Sequence, residues 1–319
     1  MSLLTAEGLE LDPDLFLLLR GLGADVADHL HVLGLEVRRQ HQELPVLLRD
    51  QVVGGPGGAV VAQVLEAPGA DLGPEDLVLE VGPGLGVLTS MLAEKAGYVA
   101  AIEIDRDLRC VLDPLELKFD NLRIVYQDVM RLNIGALIEE IKEGRPELKN
   151  VKVVANLPYY ITTPIIMMFL EQYAQILRSL TFMVQKEVAR RLVSPPGSGE
   201  YGAISVAVAY YSAASVCFDV PASCFVPRPK VDSSVVNMSV YSVPPVVPRS
   251  SDNMFRLVKA AFSQRRKMLV NAISNAAFPG VTKERVTDAL DSLSISPSVR
   301  GEMLGVKEFA ALSDILFDH

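Results

Sequence analysis

The run Glu80-Val81-Gly82-Pro83-Gly84-Leu85-Gly86 constrains this chain more than any other. Before it stands Leu77-Val78-Leu79, which predicts a buried strand. After it comes an apolar run through Leu88-Thr89-Ser90-Met91-Leu92, which predicts a helix. Glycines at alternate positions between a strand and a helix let the backbone approach a ligand closely. The arrangement opens a βαβ unit, and so predicts a mostly parallel sheet covered on both faces.

The strands that follow extend this pattern. Tyr98 to Ile102 reads as a strand ending at Glu103-Ile104-Asp105, and Leu122 to Tyr126 as one ending at Gln127-Asp128-Val129. Val151 to Ala155 reads as a strand running into Asn156, and Thr181 to Val184 as one preceding a helix from Glu187 to Leu192. Further strands are expected over Ser205 to Tyr211 and Val231 to Val240. Tyr241 to Pro248 holds three prolines and reads as a linker. Beyond it, helices are expected from Asp252 to about Asn275, from Lys283 to Leu293 and from Val306 to Phe317. The expected domains are an N-terminal extension over 1–52, an α/β Rossmann-like domain over 53–243 and a small all-helical domain over 250–319.

In open α/β sheets, ligands bind beyond the carboxyl ends of the strands. Glu80, Gly82, Gly84, Gly86, Glu103, Asp128 and Asn156 all fall at or just past such ends. A solvated loop carboxylate is the plain reading of any one of them; their clustering favours a nucleotide site. Glu103 can accept both ribose hydroxyls of an adenosine, and Asp128 an adenine amino group. A nicotinamide dinucleotide would use the same carboxylate, but no second nucleotide half follows. S-adenosylmethionine fits better, because it needs no pyrophosphate cradle.

The tetrapeptide Asn156-Leu157-Pro158-Tyr159 suggests the chemistry. An exocyclic amine on a base is a poor nucleophile, because its lone pair is delocalised into the ring. The Asn156 side-chain carbonyl and the Leu157 backbone carbonyl can accept its two hydrogens and free that lone pair. Pro158 fixes the backbone, and Tyr159 offers a stacking face. Phe225, in Phe225-Val226-Pro227-Arg228-Pro229-Lys230-Val231-Asp232-Ser233, is the candidate for the opposite face. Positioning supplies most of such a rate.

Composition narrows the alternatives. The 319 residues are half hydrophobic, which supports one good core and a smaller unit, and the formal net charge is -9. Non-specific coating of nucleic acid is disfavoured, though a local basic patch remains available. Arg265, Arg266 and Lys267, extended by Arg190 and Arg191, are the candidate phosphate contacts. The loop Ser194 to Glu200 is expected to be a mobile rim of the RNA cleft. Cys110, Cys217 and Cys224 are too scattered for a disulfide framework or a zinc site. No signal peptide or membrane span is visible, so a cytoplasmic monomer is expected.

At these motifs the chain resembles the small-subunit ribosomal RNA adenine N6-dimethyltransferases. The resemblance runs from about Leu77 to the C-terminus. It also rests on Thr163-Pro164, Gln185-Lys186-Glu187-Val188, Tyr201-Gly202 and Phe262-Ser263-Gln264-Arg265-Arg266-Lys267. It implies a Rossmann-like methyltransferase domain with a helical C-terminal domain and S-adenosyl-L-methionine as methyl donor. It implies dimethylation of two adjacent adenosines near the 3′ end of small-subunit rRNA, within an immature subunit. By position, Glu80, Gly82, Gly84, Gly86, Glu103, Ile104, Asp128 and Val129 resemble cofactor residues. Asn156, Leu157, Pro158, Tyr159 and Phe225 resemble the catalytic set, whose target base leaves its stack to enter the pocket. Members usually carry a basic segment with Gly-Gln-Asn/His-Phe-Leu before the first strand. Here Gln42 to Asp50 stands in that place, without the glycine, the amide pair or the phenylalanine. A non-catalytic ribosome-assembly factor on the same fold, a large-subunit rRNA adenine methyltransferase and, more weakly, a DNA adenine methyltransferase are the alternatives.

Overall fold

A computed structural model of the chain describes residues 64–67, 71–225 and 228–318. The N-terminal extension over 1–52, with its Gln42 to Asp50 segment, lies outside the described residues.

Seven strands form one sheet in the order β3-β2-β1-β4-β5-β7-β6. They are β1 (Asp76–Val81), β2 (Tyr98–Glu103), β3 (Leu122–Tyr126), β4 (Asn150–Asn156), β5 (Ser179–Gln185), β6 (Ser212–Val220) and β7 (Ser233–Val240). The first five are parallel, while β7 lies antiparallel between β5 and β6. Strand order reverses between β1 and β4, which opens a crevice at their carboxyl ends. Glu80 on β1 pairs in register with Ala101 on β2 and Val154 on β4. The glycine turn and Asn156 are therefore neighbours.

The middle strands β1, β2 and β4 are mostly apolar because helices cover both faces. All six positions of β1 and of β2 are buried. On one face α1 (Val87–Lys95) and α2 (Arg109–Lys118) pack Leu88, Leu92, Leu112 and Leu115 against Val78, Val99 and Ala101. On the other, α3 (Ile134–Lys142), α4 (Thr162–Tyr173) and α5 (Lys186–Val193) pack Ile138, Phe169 and Leu192 against Leu77, Leu79 and Val153. Buried Lys152 is neutralised by Asp76 at 2.9 Å.

Residues expected to form a strand at Ser205 to Tyr211 form α6 (Ala203–Tyr211), and the strand follows as β6. The run Ser-Val-Ala-Val-Ala-Tyr-Tyr alternates and so imitates a strand. Its two sides are claimed by different cores. Val208 joins the sheet core, while Val206 and Tyr210, four residues apart, join the core of the C-terminal helices. A helix buried on both sides is apolar all round and loses its helical signature.

The C-terminal helices are α7 (Ser251–Ser263), α8 (Leu269–Asn275), α9 (Lys283–Ser292) and α10 (Val306–Leu316). Ser250 caps α7 by accepting from the Asn253 N–H at 3.2 Å, and Thr282 caps α9 by accepting from the Arg285 N–H at 3.2 Å. The single helix expected from Asp252 to Asn275 is broken between Gln264 and Met268. There the Leu269 N–H leaves the helix ladder and donates to the Val299 carbonyl at 2.7 Å. Met254, Leu257, Ile273, Leu290 and Phe309 share one core with Tyr201 and Tyr210. The helical unit is thus rooted in the sheet unit.

Candidate active site

The glycine turn builds the first wall. Gly82, Gly84 and Gly86 all have positive φ, at 70°, 55° and 75°. Only glycine takes that conformation without strain. Gly86 also caps α1, and a Cβ there would lie 2.3 Å from the Leu115 side chain. Nothing lies within 4 Å of where a Cβ on Gly82 or Gly84 would stand, so that side of the turn is open.

Glu103 closes the second wall at the end of β2. Its Oε2 accepts from the Gly84 N–H at 3.3 Å and its Oε1 from the Asp105 N–H at 2.9 Å. The carboxylate is buried and oriented, yet each oxygen can accept again. Next to it Ile104, a large apolar side chain, stands 67% exposed. Asp128, beyond β3, accepts from the Met130 N–H at 2.9 Å and lies 3.6 Å from Arg131. Val129 points into the sheet core, so only its backbone faces the site.

Glu80 lies beneath the turn and is 1% exposed. Burial, then the nearby Glu103 charge, pushes its carboxyl up to about 8. Thr89 faces it and offsets part of that rise, while Glu80 Oε2 is left without a close hydrogen-bond partner among the described residues. Glu80 is therefore neutral at pH 7. Because the folded state holds its proton more tightly than the unfolded chain, stability falls as pH rises from about 4.5 through about 8. Each pH unit in that window costs the wild type about 1.4 kcal/mol at most. Glu80→Gln is expected to remove this slope, its melting temperature overtaking that of the wild type toward pH 8. Parallel pH scans of thermal unfolding check it, and unchanged slopes would contradict it.

Asn156 ends β4 and is exposed, whereas Leu157 is buried at 1% exposure. The Leu157 N–H donates to the Met183 carbonyl on β5, at 3.2 Å. Pro158 turns the chain, and its carbonyl accepts from the Ile161 N–H and the Thr162 hydroxyl at the start of α4. Among the described residues, nothing occupies the Asn156 side-chain carbonyl or the Leu157 carbonyl. Tyr159 is half-buried, with its hydroxyl 3.0 Å from the Ser233 hydroxyl. Phe225 is also half-buried and follows a 3-10 turn, Ala222–Cys224. Leu157 packs in the core of one sheet face and Phe225 against that of the other. Ser233 lies two residues before Val235, on the Phe225 side of the sheet, so its contact brings the Tyr159 hydroxyl to that side. Val226 and Pro227 lie outside the described residues.

The basic candidates separate into two groups. The Arg265 guanidinium donates to the Gly199 and Tyr201 carbonyls, both at 2.9 Å, and lies 3.7 Å from Glu302. It is spent on the fold. The Ser194 to Glu200 loop, expected to be a mobile rim, is pinned by these bonds and by the Gly197 N–H donating to the Glu302 carbonyl at 2.8 Å. Arg191 pairs with Glu187 at 2.7 Å. Arg190, Arg266 and Lys267 are exposed; the Arg190 charge acts on Asp219, whereas Arg266 and Lys267 have no side-chain partner among the described residues. Arg266 and Lys267 sit in the turn between α7 and α8 rather than on a helix.

The model of the ribosomal RNA adenine dimethylase family matches residues 59–311. The chain belongs to this family. Among its relatives, the ribosomal RNA small subunit methyltransferase A of Alkaliphilus metalliredigens is 46% identical over 245 residues, 77% of this chain and 83% of that protein. That of Lachnoclostridium phytofermentans is 42% identical over 248 residues, 77% of this chain and 84% of that protein. A dimethyladenosine transferase from Plasmodium falciparum, 24% identical, has the same fold, with a TM-score of 0.65 over 80% of this chain and 94% of that one. Methyltransferases of this family use S-adenosylmethionine, and the residues present fit its adenosine half. The open glycine turn leaves room for it, the oriented Glu103 carboxylate suits a diol, and exposed Ile104 suits a base. Sequence reasoning missed the neutral Glu80 and the Tyr159–Ser233 contact. The first follows from packing on both faces of β1, and the second joins residues 74 positions apart.

Proposed function

We infer that this chain transfers methyl groups from S-adenosylmethionine to N6 of two adjacent adenosines near the 3′ end of small-subunit rRNA. The observation that carries the reading is the pair of free carbonyls, Asn156 Oδ1 and Leu157 O, at the end of β4, the strand next to the one that feeds the glycine turn. When bound, the cofactor supplies an electrophilic methyl on a sulfonium.

The residue roles in this reading are these. Glu103 accepts the ribose hydroxyls, Asp128 accepts from the adenine amine, and Ile104 covers that ring. Asn156 and Leu157 accept the two hydrogens of the target amine, which frees its lone pair to attack in line. Tyr159 and Phe225 hold the flipped base from its two sides. No strong base is required, because the product ammonium is acidic and loses its proton afterwards. Residues 53–243 are the methyltransferase unit and 250–319 the part that helps dock RNA. The substrate is rRNA within an immature small subunit, met in the cytoplasm by a monomer. No helix among the described residues is long and apolar enough to cross a membrane.

The test is transfer from labelled S-adenosylmethionine to small subunits lacking these methylations, with the product mapped. Dimethyladenosine at the adjacent pair is the expected result, and cofactor binding without transfer to any RNA would overturn the reading.

Docking carries its own expectation. Arg266→Ala and Lys267→Ala should each weaken RNA binding and lower the salt slope by about 1. Arg265→Ala should leave the slope alone and lower the melting temperature, because it strips the half-buried Tyr201 carbonyl and the Gly199 carbonyl of their donor. Binding titrations across salt, with thermal melts, separate the two outcomes.

A further inference from the structure

The dipeptide Asp232-Ser233 hydrogen-bonds to the Tyr159 side chain and to the turn that leads into Phe225. Ser233 begins β7, is 1% exposed, and pairs in register with Gln185 on β5 and Val220 on β6. It is fixed from both sides. Its hydroxyl is 3.0 Å from the Tyr159 hydroxyl. Asp232 Oδ1 accepts from the Ala222 N–H at 2.9 Å, at the start of the turn that ends in Phe225. The Phe225 N–H closes that turn on the Ala222 carbonyl at 3.3 Å. The Asp232 carbonyl accepts from the Lys186 N–H at 3.0 Å, tying the dipeptide to the start of α5.

Consecutive residues of an extended segment point to opposite faces of a sheet. Val235 packs on the Phe225 side of the sheet and Val236 on the other, so Ser233, two residues before Val235, points to the Phe225 side, where the Tyr159 hydroxyl meets it. One short rigid segment thus reaches the Tyr159 hydroxyl and the Phe225 turn, and a shift of either would change the gap between the rings.

We propose that Asp232 and Ser233 are positioning residues that set the spacing and tilt of the Tyr159 and Phe225 rings around the target base. The Tyr159–Ser233 hydrogen bond locks one ring, and the Asp232–Ala222 hydrogen bond holds the turn that carries the other. Neither residue touches substrate or cofactor. The proposal rests on the reading of these rings as the base clamp.

The test uses the full chain with cofactor and unmethylated small subunits. Ser233→Ala and Tyr159→Phe each delete one half of the hydrogen bond while keeping the ring. Each should lower kcat about 10- to 100-fold, the range for a slightly misplaced reactant. Cofactor affinity and melting temperature should stay near those of the wild type. The double variant should be no worse than the poorer single one, because both remove the same interaction. Asp232→Ala should behave like Ser233→Ala, and Asp232→Asn, which keeps an acceptor for the Ala222 N–H, should restore most of the rate. Additive losses in the double variant, or full kcat in both single variants, would overturn the proposal. Tyr159→Ala and Phe225→Ala separate this failure from that of the clamp itself. If they abolish transfer while Ser233→Ala and Tyr159→Phe do nothing, the clamp stands and its positioning by the dipeptide falls. If they transfer normally, the clamp reading falls with it.

Discussion

Asn156→Ala is expected to lower the rate of methyl transfer about 10²- to 10³-fold, the usual loss when one oriented polar group leaves a reacting centre. Cofactor affinity should hardly change. The side chain is exposed at the end of β4 and makes no hydrogen bond among the described residues, so the fold does not depend on it. It does stand next to the Leu157 carbonyl, whose own N–H is anchored to Met183. With one acceptor gone, the target amine keeps its lone pair in the ring and stays a poor nucleophile. Single-turnover rates and cofactor titration on the same preparation check this. Loss of binding together with rate would mean that Asn156 holds the cofactor rather than the amine. A wild-type rate would move the chemistry elsewhere and favour an assembly factor.

Glu103→Ala should give the opposite dissociation. Two hydrogen bonds to a charged group are lost with it, from Gly84 and Asp105, and each is worth about 1.5–3 kcal/mol. The Gly84 N–H is left without its acceptor, and the turn loses the group that fixes its open side. The ribose hydroxyls lose their acceptors as well. Cofactor affinity is expected to fall by about 10²-fold or more, at about 1.4 kcal/mol per tenfold. Part of the rate should return at saturating cofactor. Calorimetric titration reads the affinity and initial rates at high cofactor read the recovery. Unchanged affinity would sink the assignment of Glu103 to the ribose.

These two expectations rest on elements that were legible before any coordinates. β3 spans Leu122–Tyr126 as the sequence pattern predicts, and β1, β2, β4 and β5 lie where their apolar runs place them. The reason is that parallel strands buried on both faces are written as short continuous apolar runs. The site residues were legible for a related reason. Each chemical group stands immediately after such a run, and the carboxyl ends of parallel strands converge.

Other parts were not legible because their local pattern fits more than one structure. Ala203–Tyr211 alternates like a strand yet is a helix, since Val208 and Val206 answer to two different cores. The periodicity from Asp252 to Asn275 continues across a break that is made by a distant carbonyl, that of Val299. Arg265 looks like its neighbours in sequence. Only the Gly199 and Tyr201 carbonyls, more than sixty positions away, distinguish it from Arg266.

The amino-acid sequence by itself determined the parallel sheet, the glycine turn after β1, and the acceptors and rings at the strand ends. It did so because short-range hydrophobic pattern and residue chemistry are local properties. Only the tertiary structure decided which basic residues remain free, which helix replaces an expected strand, that Glu80 is neutral, and that Asp232 and Ser233 meet Ala222 and Tyr159. Those outcomes depend on burial and on hydrogen bonds between residues far apart in the chain, such as the bond from the Tyr201 hydroxyl to the Leu304 carbonyl across 103 positions. No local pattern records them.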